Sequence, residues 1–351
     1  MTMMRCPVVR IAKVTKHPNA DSLDIINILG YQCVDRCGRW LENQLAVYIP
    51  IDSLVNSDRQ EFSFLKRSDK DKIVRVKTVK LRGVVSQGIL VEAVIGRAEG
   101  EDCSDFYNVE KYEPIEACPN PYSKSLGGDP RGNFPSHLPK TDVERWQNYP
   151  TIFHKFKDKV YVATEKVEGS SSTCFLKCCD GETVHFGVCS RNLELKPGEG
   201  NNAFWSSAIK FDIEKKLKRI AMMLSISDKD VDIAVQGELT GPGIQGNIYK
   251  HKEFQFYAFD LLINGQYIPS SRFFELCKLV DIQTVPIIYT GEILPDEKMV
   301  EFATDQSRIY GGTLREGLVW KLFESEESDV KIGRVQLKVI SPEYLLKKRS
   351  D

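Results

Sequence analysis

Val160-Tyr161-Val162-Ala163-Thr164-Glu165-Lys166-Val167-Glu168-Gly169-Ser170-Ser171-Ser172 sets an apolar strand, a lysine and a glycine–serine turn in direct succession. A second strand can follow the turn at once, so Lys166 stands at the rim of a sheet. Glycine at 169 lets backbone come close to a phosphate. Lys-x-x-Gly alone is a weak motif, because an exposed lysine at any strand end satisfies it. What surrounds it gives it weight.

Outward from Lys166, extended segments are expected over 159–166, 171–178, 184–190, 232–238, 254–263, 317–322 and 335–340, and apolar residues recur at helical spacing from Ala203 to Leu224. This predicts a mixed α+β domain. Residues 1–112 read instead as short strands, at 8–16, 23–29, 45–49, 73–81 and 88–94, separated by Gly, Pro, Asn and Asp clusters, which suits a small closed β-barrel. Between them, 113–140 turns to Pro, Gly, Ser and Asn and reads as a linker. Thr141-Asp142-Val143-Glu144 has the form of a capping box, so a short helix is expected to Asn148 and the second domain is placed at 141–351.

The chain has 351 residues, enough for two compact domains, and its 42% hydrophobic and 28% charged residues are those of a globular protein rather than a disordered one. A net charge of −1 removes any global attraction to nucleic acid, so contacts must come from local patches. One expected strand carries Lys72, Arg75, Lys77, Lys80 and Arg82 among Val74, Val76 and Val79, which predicts a basic stripe on the barrel. A solvated strand gives the same pattern. Ten cysteines without a Cys-x-x-Cys pair, and five histidines without ligand spacing, point to reduced thiols and structural imidazoles. No apolar run approaches the roughly 18 residues of a spanning helix, so an intracellular chain outside the membrane is expected. No heptad seam suggests association, so a monomer is expected.

Five further segments follow Lys166 in order. Ser190-Arg191-Asn192 and Gln236-Gly237-Glu238-Leu239-Thr240-Gly241 each close a strand; Phe256-Tyr257-Ala258-Phe259-Asp260 comes next; Glu316-Gly317-Leu318-Val319-Trp320-Lys321 then precedes Gln336-Leu337-Lys338-Val339-Ile340. Five ordered matches are far more specific than one. Together they resemble the nucleotidyltransferase motifs of polynucleotide ligases and messenger-RNA capping enzymes. Over nearly the whole chain the resemblance is to ATP-dependent RNA ligases of the Deinococcus and Naegleria type, which carry an OB-fold domain before the catalytic domain. Its N-terminal part rests on His17-Pro18-Asn19-Ala20-Asp21-Ser22-Leu23, Val47-Tyr48-Ile49-Pro50-Ile51-Asp52-Ser53, Leu81-Arg82-Gly83-Val84-Val85-Ser86-Gln87-Gly88 and the bridging Leu138-Pro139-Lys140-Thr141-Asp142. Only 13 residues follow Lys338, too few for an OB domain behind the last motif, so the accessory domain is expected in front. The zinc-binding cysteine set of NAD-dependent ligases is absent, which leaves ATP as the expected cofactor.

The resemblance implies an OB-fold barrel at 1–112, ahead of a nucleotidyltransferase domain in which Lys166 becomes covalently adenylylated, with Glu316 and Lys338 beside it in catalysis. Glu165, Gly169, Arg191, Asn192, Glu238, Phe259 and Lys321 are the expected nucleotide contacts: Phe259 stacks on adenine, Glu238 takes the ribose or a metal, Arg191 clamps a phosphate, and Lys321 and Lys338 neutralise the α-phosphate. Triphosphate chemistry calls for Mg²⁺ or Mn²⁺, a hard cation, for which Glu168, Glu238 and Glu316 are the expected carboxylates. Arg75, Lys77, Lys80 and Arg82 are the expected nucleic-acid contacts, and nicked RNA-containing duplex is the expected partner. One departure stands out. Many relatives carry Lys-x-Lys where this chain has Gln336-Leu337-Lys338, and Lys331 and Arg334 are the nearest residues able to supply the missing cation. A GTP-dependent guanylyltransferase, a DNA ligase and a non-catalytic RNA-binding protein are the competing functions.

Overall fold

The structure is a computed structural model that describes residues 4–66, 68, 72–112, 127–149, 151–179, 182–198, 202–226 and 230–347. Contacts divide the chain into two units, Met1–Glu116 with Leu345–Asp351, and Ala117–Tyr344. No described helix is long and apolar enough to cross a membrane.

In the first unit the strand Leu45–Ile49 explains the arrangement. Its run Leu-Ala-Val-Tyr-Ile has no polar face because both faces are covered. Val47 and Ile49 enter one core with Val8, Val55, Phe62 and Val91, while Ala46 and Tyr48 enter another with Val9, Ile26, Tyr31 and Trp40. Val8–Arg10 and Ile89–Glu92 flank it antiparallel, and Lys13–Lys16, Leu23–Ile28 and Tyr31–Arg36 form a meander. Expected strand 8–16 therefore breaks at Ile11–Ala12 and serves two sheets.

Expected strand 73–81 also breaks, and with it the basic stripe. Ile73–Arg75 pairs with Ser53–Asn56, whereas Val79–Leu81 forms a hairpin with Val84–Ser86. Arg82 and Gly83 close that hairpin with φ of +43° and +94°, the two-residue turn whose twist matches antiparallel strands. The turn is tied to another sequence motif: the His17 ring lies 3.0 Å from the Leu81 carbonyl, and Asn19 donates to the Arg82 carbonyl at 2.9 Å.

In the second unit a seven-stranded antiparallel sheet runs in the order Pro130–Asn133, Leu193–Leu195, Glu182–Cys189, Ser170–Cys179, Val231–Thr240, Gln255–Ile263, Gln266–Tyr267. Its apolar face packs under helices Ala203–Lys210, Ile213–Met223 and Ser270–Val280. The helical stretch expected as one element is two, broken at Asp212, which sits at φ +51°. A five-stranded sheet runs Glu144–Arg145, Gln336–Ile340, Gly317–Leu322, Tyr161–Glu165, Ile287–Gly291, with only the first pair parallel.

Two expectations change here. Part of the 113–140 stretch read as linker is an edge strand of the larger sheet, Pro130–Asn133; residues 113–126 lie outside the described ones. The helix expected from Thr141 is replaced by strand Glu144–Arg145 and a 3₁₀ turn, Trp146–Asn148. Thr141 does not cap: its hydroxyl is 2.7 Å from that of Ser171. Trp146 is buried in the core beneath the smaller sheet, which draws the chain in as a strand.

Candidate active site

The register of the smaller sheet sorts its residues into two faces. Tyr161 and Ala163, Leu318, Trp320 and Leu322, and Leu337 and Val339 enter one core with Trp146 and Met299. Directly paired residues share a face, so Thr164, Val319 and Lys338 line up on the other side, as do Val162, Lys321 and Gln336. Arg145 stands opposite Lys338. Arg145, Lys338 and Lys321 thus share one sheet face, a pattern that needs three strands distant in sequence.

Lys166 follows the end of strand Tyr161–Glu165, within electrostatic reach of Arg145 and Lys338. Its amide donates to the Gly317 carbonyl at 2.9 Å, which fixes the chain where the strand stops. Its ammonium lies 2.9 Å from Glu316 Oε2. Burial disfavours its charge, but Glu316 and Glu238 outweigh that and hold the ammonium above the ordinary lysine range, with Arg145 opposing them. Lys338 goes the other way: burial, with Arg145 and Lys166 as like-charged neighbours, lowers it to about 7. Two lysines on one surface are thus driven in opposite directions, the signature of a site built to move a proton or meet an anion.

Glu316 is held from both sides. Ser341 donates its amide to the Glu316 carbonyl at 2.9 Å. The buried Arg315 donates to the carbonyls of Ala303 and Phe302 at 3.2 and 2.6 Å, closing the end of helix Asp296–Ala303. Glu238 comes from the larger sheet, where burial raises it to about 8 against the pull of Lys166. The Gly169 amide donates to this carboxylate. Gly169 is there for a packing reason too, since a Cβ would meet the Leu239 carbonyl oxygen at 2.3 Å.

Phe259 owes its position to a β-bulge. Gln236 pairs with Asp260 and Gly237 with Ala258, so Phe259 is the extra residue, turned out of the alternation. Its half-buried ring packs beside Val167, Tyr257 and Ile309, with the Lys321 ammonium 5.3 Å from its centroid.

Other expected contacts are committed within the protein. Glu165 is buried and accepts from the Ser307 hydroxyl at 2.5 Å and the Arg308 amide at 2.7 Å, pinning the segment that leads to Glu316. Glu168 is turned toward tyrosines: its amide donates to the Tyr249 hydroxyl at 2.8 Å and its carboxylate is bonded to the Tyr344 hydroxyl. The expected three-carboxylate metal cage is accordingly not formed. Among the described residues no group of three or more His, Cys, Asp or Glu is placed to hold a metal ion. Arg191 pairs with Asp142 at 2.6 Å and Asn192 accepts from Lys140 at 2.6 Å, so both hold the bridging segment over the larger sheet while Arg191 still acts on Glu238. Lys321 donates to the Phe259 carbonyl and to Asp260, each at 2.8 Å.

In the first unit, Arg75 is withdrawn from the basic set, with its guanidinium 2.6 Å from Asp52 and stacked over Tyr112. Lys77, Lys80 and Arg82 are exposed. Sequence reasoning missed Arg145, which lay in a stretch read as helix, and the tyrosine pair around Glu168. Nothing local marks either, because both are defined by pairing across the sheet or the fold.

A family model described as RNA ligase matches residues 159–340, and an OB-fold domain model matches residues 6–93. The chain belongs to the RNA ligase family. Solved structures similar over nearly their whole length are variants of the Naegleria gruberi RNA ligase. An apo form is 27% identical with a TM-score of 0.79, covering 98% of each chain. A form with ATP and Mn is 28% identical with a TM-score of 0.80, covering 98% of this chain and 99% of that one. A form with AMP and Mn is 27% identical with a TM-score of 0.79 and the same coverage. No curated protein matches in sequence. This RNA-ligase-family nucleotidyltransferase thus has an OB-fold domain ahead of its catalytic α+β domain, as the whole-chain resemblance implies.

Proposed function

We propose that the chain is an ATP-dependent ligase that joins a 3′-hydroxyl to a 5′-phosphate in RNA, at nicks in duplexes, through a lysyl-AMP and then an adenylylated 5′ end. The observation that carries this reading is the Lys166 ammonium 2.9 Å from Glu316, on a sheet face it shares with Lys338 and Arg145. In the first step the Lys166 amine attacks the α-phosphorus; a P–N bond forms as the P–O bond to pyrophosphate breaks. The proton leaves Lys166 toward the Glu316 carboxylate, and the positive charge of Arg145 favours the neutral amine. In the second, a 5′-phosphate oxygen attacks the same phosphorus and the P–N bond breaks, returning a proton to Lys166. In the third, the 3′-hydroxyl attacks the 5′-phosphorus and AMP departs. Positioning and charge neutralisation supply most of the catalysis in each step.

A divalent cation, Mg²⁺ or Mn²⁺, would neutralise the triphosphate and polarise its P–O bonds. Glu316 and Glu238 are the carboxylates suited to it. A pair of carboxylates fits a hard ion that completes its shell with waters and substrate oxygens. Phe259 stacks on adenine, Lys321 and Lys338 take the phosphate charge, Arg191 takes the 5′-phosphate, and Lys77, Lys80 and Arg82 take the RNA backbone.

The test is adduct formation with radiolabelled ATP or GTP in separate tubes. ATP should label the wild type and leave Lys166→Ala unlabelled; label from GTP alone would make the chain a guanylyltransferase. Nicked duplexes with RNA or DNA on each side should then be sealed when the 3′-hydroxyl end is RNA. Sealing confined to all-DNA nicks would refute the RNA assignment.

A further inference from the structure

Asp260 joins two buried cations. Its Oδ2 accepts from Lys321 Nζ at 2.8 Å and its Oδ1 from Arg334 Nη1 at 2.8 Å, and all three side chains are less than a tenth exposed. Arg334 is itself fully engaged. It makes a two-pronged pair with Glu326 at 2.7 and 2.6 Å, stacks over Tyr267 at 3.9 Å from the ring centroid, and lies 3.4 Å from Gln336 Oε1. The residue therefore cannot turn away from Asp260 without leaving a buried carboxylate facing Lys321 alone. Lys321 would then be drawn wholly to Asp260, since the strongest partner of a buried ammonium is an otherwise unpaired carboxylate.

Gln336 faces Lys321 directly across the strand pair. Its Oε1 lies 3.4 Å from the same Arg334 Nη1 that donates to Asp260 Oδ1, so the two side chains end at one guanidinium nitrogen.

We propose that Arg334 is a positioning residue for the nucleotidyl-transfer reaction: by occupying one oxygen of Asp260 it leaves Lys321 bound to the other oxygen and to the Phe259 carbonyl, with its third donor for the nucleotide phosphates. This rests on the role given to Lys321 above. A cation spent wholly on anchoring the 323–335 excursion would need Glu326 and Tyr267. A cation acting through Asp260 needs only to reach that carboxylate.

The experiment is single-turnover adduct formation with radiolabelled ATP at saturating concentration, with circular dichroism and thermal melting to check folding. Arg334→Met should slow the step by about 10–100-fold. Gln336→Lys added to it should recover most of that loss, and Arg334→Lys should stay within about threefold of wild type, because both restore a cation at Asp260 without the Glu326 fork. A wild-type rate in Arg334→Met overturns the proposal. So does a folded double variant that stays as slow as Arg334→Met. Should Arg334→Met fail to fold, Arg334→Lys decides, and a loss as deep as that of Lys321→Met overturns the proposal. Absence of any adduct in the wild type would instead remove the ligase reading itself.

Discussion

Lys338 gives up its proton near pH 7 in the folded chain, against an ordinary value of 10.5. Between those values the unfolded chain binds more protons than the folded one, so this group's contribution to stability rises with pH across that window and is lost as pH falls through 7. Urea unfolding of Lys338→Met at pH 7 and pH 9 should show a shallower rise than the wild type. For one proton the difference cannot exceed about 1.4 kcal/mol per pH unit; equal slopes would show that the lysine is not perturbed. Gly169 is decided by a different force. A methyl group there meets a backbone oxygen of the neighbouring strand rather than a side chain able to swing aside. Gly169→Ala should cost about 1–3 kcal/mol in the same assay and displace the amide that serves Glu238.

The segment from the end of helix Asp296–Ala303 to strand Gly317–Leu322 delivers Glu316 to Lys166. It is folded on itself by the antiparallel bridge Gln306–Leu314 and by backbone bonds from Ser307 to Thr313 and from Arg315 to Asp305, and two side chains tie it to the rest of the domain. Glu165 clamps Ser307 and Arg308, and Arg315 clamps the helix end. Arg315→Met leaves two carbonyls at that end without their donor. The expected cost is about 2–4 kcal/mol in unfolding, together with slower adduct formation as Glu316 loses its anchored neighbour. A variant that loses stability but transfers AMP at the wild-type rate would show that Glu316 is held without Arg315. The bulge at Phe259 is the other element-scale device. One extra residue turns a ring that alternation would bury toward the site. Phe259→Ala should weaken ATP binding by roughly 1–3 kcal/mol, measured by the ATP dependence of adduct formation.

At the scale of the molecule, a chain of net charge −1 must gather RNA through a few placed cations. Arg75 is held by Asp52 and Tyr112, which leaves Lys77, Lys80 and Arg82 of the expected set. Replacing those three by alanine should weaken RNA binding and lower the slope of log affinity against log salt by at most about 3, the limit of roughly 0.7–0.9 per phosphate contact. Arg75→Ala should act on the stability of the OB-fold domain instead. An unchanged salt slope in the triple variant would place the RNA contact elsewhere.

The amino-acid order alone determined the strand–lysine–turn at Lys166, the succession of motifs from Ser190 to Ile340, the α+β character of the second domain and the RNA ligase family. All of these are local patterns, periodicity and covalent sequence, and local patterns survive in a one-dimensional reading. Tertiary structure alone decided which charged residues remain for chemistry. Glu165 became a clamp, Glu168 a partner of tyrosines, Arg75 a structural ion pair, Arg145 a neighbour of Lys338 and Arg334 a partner of Lys321 through Asp260. A charge takes its role from the opposite charge it meets within about 4 Å, and those meetings were made by pairing strands and loops far apart in the chain.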